Sequence, residues 1–150
     1  MDELRAAIAS EDEHELQTDQ VDDASRSVLN WIYDLWEALM RSRFSSSQKV
    51  TDEDLVGDDD AGKTCAAIIF ARGEYVHGRH EVGPQSWGYG DGPYGHGPYG
   101  GGWMWPAWEQ KNTKWALRTS WYEAFVQQQT LVAPLEQAIS WLRGQPELSA

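Results

Sequence analysis

The chain has 150 residues, of which 41% are hydrophobic and 24% charged, and its formal net charge is −12. This length and composition fit one globular domain and leave little room for a second full domain. The sequence contains no apolar run of about eighteen residues and no signal-peptide pattern at its N-terminus, so we expect a cytoplasmic protein with no membrane association. The single cysteine, Cys65, excludes an internal disulfide and is expected to be a core residue.

The acidic charge is concentrated in the first part of the chain. Residues 1–60 contain 17 acidic and 5 basic side chains, whereas residues 61–150 contain 7 of each. Because basic residues carry most of the affinity for a phosphate backbone, we predict no general electrostatic attraction to nucleic acid. An anion-binding surface would have to be local, and its candidate residues are Arg72, Arg79, Lys111, Lys114 and Arg118.

The N-terminal third predicts one long helix between two acidic segments. Residues 1–20 read as an acidic arm or short helix, and from residue 22 to residue 43 apolar side chains recur at helical spacing. The other face of this helix carries Asn30, Asp34 and Glu37, whose charged members could pair with a cation. Residues 45–60 have the composition of a linker, in which Thr51 and Asp54 are spaced to cap a single turn.

A central helix is predicted from about Asp59 to Gly78. Its apolar residues form one stripe, and Arg72 falls in the middle of that stripe. A guanidinium cannot lose its charge and is costly to bury unpaired. Arg72 must therefore meet a carboxylate, end in a water-filled groove, or bind an anion.

Residues 83–109 form an irregular segment rich in glycine, tyrosine and tryptophan. Its glycine content excludes a helix or a central strand, and two interpretations remain open. The segment is either a long loop or an aromatic lid that stacks on bases or rings through Trp87, Tyr89, Tyr94 and Tyr99. Within it, residues 103–108 alternate large apolar side chains, which predicts an extended piece lying over the helices.

The last part of the chain predicts two more helices, over residues 111–127 and 130–143, with Pro134 in the first turn or two of the second. The predicted architecture is an all-α bundle of four to five helices with one long aromatic and glycine-rich excursion. Residues 21–145 would form this helical domain.

The central helix also carries a short motif. Arg72 and His77 are separated by four residues near the predicted helix end. This pattern resembles the R-x(4–6)-H motif of the HEPN superfamily, whose members are small helical bundles that often act as metal-independent RNases. The tryptophans at 103 and 105, the Tyr-Glu pair at 122 and 123 and the final amphipathic helix are similar to features of short bacterial HEPN-like proteins. The similarity covers about residues 61–144, with Gly73 where the family usually has a polar residue.

The resemblance implies a role for each motif residue. Arg72 would hold the scissile phosphate, and His77 would move protons for attack by the RNA 2′-hydroxyl, with Glu74, Tyr75 and His80 assisting. It implies no metal and no cofactor. It also implies a homodimer, because HEPN active sites resemble clefts formed where two motif helices meet.

The function that follows is that of a HEPN-like protein of the toxin or defence type, either a metal-independent endoribonuclease or an RNA-binding protein. Arg79, Trp87, Tyr94 and Tyr99 are candidates for contacts with an anion or RNA. An antitoxin or another protein partner is expected for such a protein.

Three other interpretations stay open. Arg72 could pair with Asp34 or Glu37 while His77 bonds a backbone carbonyl at the helix end. A metal site built from His77 and its neighbours His80 and Glu81 is a weaker alternative, because these residues lack the spacing of known zinc sites. The third is a non-catalytic HEPN-fold module that binds a protein through its acidic half and tryptophan-rich surface.

Overall fold

The computed structural model describes residues 1–9, 14–44, 50–76, 103–105, 107 and 115–148, without the side chains of residues 14–18 and 74–76. Over these residues the protein is an all-α bundle, as the sequence predicts. The described part contains six α-helices and a final 3₁₀ turn: α1 (Asp2–Ile8), α2 (His14–Arg43), α3 (Asp52–Val56), α4 (Asp60–Val76), α5 (Ala116–Phe125), α6 (Val132–Arg143) and the turn Pro146–Leu148. None of the helices in the described ranges combines the length and apolarity needed to cross a bilayer.

Helix α2 is longer than its apolar periodicity predicts. It has 30 residues and runs through the expected boundary between residues 20 and 21. Helix α1 packs on it and places Leu4 and Ala7 in the core, so the N-terminal helix belongs to the same packed unit. The core face of α2 consists of Val21, Val28, Leu29, Ile32, Trp36 and Leu39.

Helix α3 is the single capped turn expected within the linker. The Thr51 hydroxyl accepts a hydrogen bond from the Asp54 N–H at 3.2 Å, and the Asp54 carboxylate accepts one from the Thr51 N–H at 2.8 Å. This reciprocal capping box satisfies backbone donors that a helix start leaves unpaired. The turn then buries Leu55 and Val56 against the bundle.

Helix α4 is the central element and packs against α2, α3, α5 and α6. Residues 65–71 are all buried, which is typical of a helix surrounded by others. Asp59 caps its start, since its carboxylate accepts hydrogen bonds from the Ala61 and Gly62 N–H groups at 2.8 and 3.3 Å. Cys65 lies fully inside this run, and burial raises the pKa of its thiol, so it is a core residue as expected.

Residues 103–105 form the extended piece that their alternating apolar pattern predicts. They pair with the connection between α5 and α6 through a bridge between Met104 and Thr130. The Trp105 indole N–H donates to the Leu131 carbonyl at 3.1 Å, and its ring meets Tyr122 edge-on at 6.4 Å between centroids. All three side chains of the segment are buried, so its tryptophans serve packing.

The C-terminal turn is fastened to the bundle by Arg43. The Nε and Nη2 atoms of this residue donate to the two carboxylate oxygens of Glu147 at 2.8 and 3.0 Å. Its Nη1 donates to the Leu55 carbonyl at 3.1 Å. One guanidinium therefore joins the end of α2 to α3 and to the last turn of the chain, and its hydrogen bonds hold the pKa of the Glu147 carboxyl below its ordinary value of 4.5.

Glu147 should make stability depend on pH in the acid range. Because its pKa is lower in the folded chain, its contribution is fully present above pH 4.5 and is lost as the pH falls through the folded pKa. A Glu147→Gln variant should be less stable than wild type at neutral pH, and the difference should shrink below pH 4.5. Urea denaturation across this range measures it, with the exposed Glu123→Gln as the matched control. A difference that stays constant from neutral to acid pH would contradict the assignment.

Candidate anion-binding site

Arg72 lies near the end of α4, immediately after the buried run, and its side chain leaves the core toward α2. Its Nε and Nη2 atoms both donate to the side-chain oxygen of Asn30, at 3.3 and 3.2 Å. Its guanidinium carbon lies 4.1 Å from the centroid of the Tyr33 ring. Asn30 and Tyr33 are three residues apart and so share one face of α2. Two neutral side chains therefore hold one edge and one face of the guanidinium.

The two carboxylates that the sequence suggests as partners of Arg72 do not contact it. Arg72 forms no ion pair with Asp34 or Glu37, and Glu37 instead lies 3.7 Å from Arg41 on its own helix. Within the part of the chain that the structure describes, Arg72 has no carboxylate partner at all. The buried pair with Asp34 or Glu37 is thus not formed, and the guanidinium keeps its full positive charge.

The Arg72 guanidinium also has N–H groups that are not used by Asn30. An arginine side chain has five N–H groups, and two of those of Arg72 are directed to Asn30. The other three have no acceptor among the described residues. A planar edge with parallel N–H groups is the geometry that binds two oxygens of a phosphate.

Arg118, another candidate for anion binding, is in the opposite situation. Its Nε and Nη2 donate to both carboxylate oxygens of Asp52, and each of the two side chains is only 16% exposed. Its guanidinium carbon also lies 5.0 Å from the Trp115 ring and 5.9 Å from the Trp36 ring. Arg118 is consequently neutralised and enclosed, and it connects α3 to α5 instead of offering an anion site.

Most of the remaining predicted site lies outside the described residues. His77 follows directly after the last residue of α4, and Glu74 and Tyr75 lie within α4, but their side chains are not among those described. The same holds for the predicted contact and assisting residues Arg79, His80, Trp87, Tyr94 and Tyr99, and for Lys111 and Lys114. Their roles stay predictions.

The alternative of a metal site also stays a prediction. His77, His80 and Glu81 lie outside the described residues. Over the ranges that are described, no group of three or more histidine, cysteine or acidic residues is arranged to hold a metal ion.

Gly73 stands next to Arg72, where a polar residue was expected from the resemblance. A Cβ atom built on Gly73 meets no described atom within 4 Å. Packing against the described residues therefore does not require glycine at this position.

Comparison with known proteins identifies no relative of this chain. No family model matches the chain, and no curated protein or solved structure matches it either. The resemblance to HEPN proteins therefore stays a prediction from the sequence.

Asn30 and Tyr33 are site residues that the sequence does not predict. The sequence places Asn30 on the outer face of α2 beside Asp34 and Glu37, and it favours these two carboxylates as partners for an arginine. The available signal was helical spacing, because residues 30, 33 and 37 share a face. That signal identifies the face toward α4 but not which of its residues Arg72 reaches.

Proposed function

We propose that the protein is a HEPN-like endoribonuclease of the toxin or defence type, in which Arg72 binds the scissile phosphate. The observation that carries the proposal is the oriented guanidinium of Arg72. Its guanidinium is half-buried at the end of the motif helix, oriented by neutral groups and unpaired with any described carboxylate. Such an arginine offers charge-assisted hydrogen bonds to a phosphodiester.

The chemistry proposed for the site is transesterification within RNA. The 2′-hydroxyl oxygen attacks phosphorus and forms the new P–O2′ bond, while the P–O5′ bond breaks. His77 in its neutral form accepts the 2′-hydroxyl proton, and the 5′-oxygen leaves with a proton taken from water. Arg72 stabilises the charge that develops on the phosphate oxygens. The products are a 2′,3′-cyclic phosphate and a 5′-hydroxyl end, and this route requires no cofactor.

Removal of either motif residue should abolish cleavage. Wild-type protein should cut cellular RNA in the presence of a chelator, whereas Arg72→Ala and His77→Ala should each lower the rate by at least about a hundredfold. Gel analysis of RNA fragments measures the rate, and a substrate with 2′-deoxy linkages should stay intact. All three proteins should have the same helical content and the same mass in solution, that of the homodimer included in this proposal.

Two results would contradict this function. One is a folded wild-type protein that leaves every RNA intact. The other is an Arg72→Ala or His77→Ala variant that cuts as fast as wild type.

A second candidate function is a non-catalytic module that binds a protein partner. It is favoured by Trp31, whose side chain is 42% exposed. Trp31 borders a groove of about 690 Å³ between α1, α2 and α6, where Arg143 also lies. Exposed tryptophan is enriched at protein interfaces. Under this alternative, an antitoxin or another protein would bind this groove, and Trp31→Ala would weaken that complex while Arg72→Ala would not.

A further inference from the structure

The two side chains of α2 that touch Arg72 differ from what an arginine on a helix surface usually finds. Helix α2 places acidic residues at positions 34 and 37, one turn from the contact point, yet the contacts are made by an amide and a phenol ring. Both orient a guanidinium without adding negative charge. An amide oxygen accepts its hydrogen bonds, and an aromatic face attracts a cation through its quadrupole.

We infer that Asn30 and Tyr33 are positioning residues that direct the charged edge of Arg72 toward a phosphodiester of RNA, and that the neutrality of Asn30 is required for binding. This inference rests on the function proposed above and adds a part of the site supplied by another helix. Neither residue belongs to the R-x4-H motif, and they lie 42 and 39 positions before Arg72 in the chain.

The contacts explain why the orientation of Arg72 and the neutrality of Asn30 both affect phosphate binding. Two hydrogen bonds to one oxygen fix the Nε edge, and the ring fixes the plane of the guanidinium. Together they restrict a long side chain that otherwise has many rotamers, so less conformational entropy is lost when the phosphate binds. A carboxylate in place of the amide would keep the hydrogen bonds but would compete with the phosphate for the same charge.

The decisive variant is Asn30→Asp, because it preserves shape and both acceptor bonds while changing charge. The probe is a fluorescein-labelled RNA oligonucleotide with a 2′-O-methyl group on every ribose, which retains the phosphodiesters and lacks the attacking hydroxyl. We expect Asn30→Asp to weaken probe binding about tenfold in fluorescence anisotropy. It should leave the stability of the fold equal or higher, which a purely structural role for Asn30 would not combine with lost binding.

A matched control lies on the same helix. Gln20→Glu makes the same chemical change at an exposed position ten residues earlier, about 15 Å along the helix axis. It should bind the probe within about twofold of wild type, because exposed charges at this separation are largely screened.

Three further variants separate the effect of orienting Arg72 from the effect of added charge. Asn30→Ala removes the acceptor without adding charge and should weaken binding less than Asn30→Asp does. Tyr33→Leu should weaken it about threefold, and Tyr33→Phe, which keeps the ring, should restore wild-type binding. In the cleavage assay, Asn30→Ala should raise KM more than it lowers kcat.

The outcomes distinguish this inference from the proposed function. If Arg72→Ala loses probe binding while Asn30→Asp and Tyr33→Leu bind like wild type, the inference is wrong and the proposed function stands. If the probe binds but RNA is never cut, the catalytic proposal fails and the positioning roles are still measured by binding. If wild type does not bind the probe, or if Arg72→Ala binds it equally well, both are overturned.

Discussion

An Arg118→Met variant should unfold with a free energy about 3 kcal/mol lower than that of wild type. The substitution leaves the Asp52 carboxylate, which is 16% exposed, without its bidentate partner. It also removes the guanidinium that lies beside the rings of Trp36 and Trp115. Because Asp52 begins α3 and Arg118 is in α5, their separation should loosen two elements at once. Urea denaturation followed by circular dichroism measures the loss.

A double variant tests the reason for this loss. Combining Arg118→Met with Asp52→Leu removes both charges, so it should recover part of the stability that the single change costs. Glu53→Gln is the control, because Glu53 is an exposed acidic residue in the same first turn of α3 and has no described ion pair. If Arg118→Met is as stable as wild type, or if the double variant simply adds two losses, the pair does not have the role described.

Two glycines of α4 should respond to alanine with opposite signs. At Gly62, a Cβ atom would lie 2.8 Å from the Val56 Cβ and 3.0 Å from an indole carbon of Trp141, both of which are in the core. Gly62→Ala should therefore destabilise the fold by about 2 kcal/mol, a typical cost of overpacking. At Gly73, no described atom is within 4 Å, so Gly73→Ala should stabilise the helix by about 0.5–1 kcal/mol.

Comparing the two alanine variants separates the effect of packing from the effect of helix propensity. Both substitutions exchange glycine for alanine within the same helix, and alanine has the higher helix propensity, so a loss of stability at Gly62 reports the atoms that surround it. Thermal or urea unfolding of the two variants and wild type provides the comparison. Equal effects at the two positions would show that Val56 and Trp141 do not restrict the helix at Gly62.

The sequence was most informative where a local rule decides the outcome. The Thr51 and Asp54 pair predicts the cap of α3 because the two residues have the spacing of a capping box. Asp59 predicts the start of α4 because a negative charge is favourable at a helix N-terminus. The buried run of α4 and the extended segment at residues 103–105 follow from apolar patterns. Even so, α2 begins at His14, inside the acidic segment expected as an arm or short helix, because acidic residues are also favourable at helix starts.

Partners that are distant in sequence could not be predicted in this way. Arg118 and Asp52 are 66 residues apart, and Arg72 and Asn30 are 42 apart. Periodicity shows which face of a helix turns inward, but the rotation and translation of one packed helix along another decide which residues meet. A shift of α4 by one turn toward the C-terminus of α2 would have brought Arg72 from Asn30 to the position of Asp34. The neutral surroundings of Arg72 are thus information from the structure alone.

The proposed function requires most of all that the charge of Arg72 is open to a phosphodiester. The most direct measurement is an NMR titration of the arginine Nη–H signals with the 2′-O-methyl RNA, where Arg72→Lys identifies the Arg72 signals by their loss. We predict that the Arg72 Nη–H signals shift as the probe binds, because only its Nε edge is occupied by Asn30. The Arg118 signals should stay in place, because that guanidinium is already paired with Asp52. An Arg72 signal that is unchanged when the protein is saturated with RNA would contradict the account.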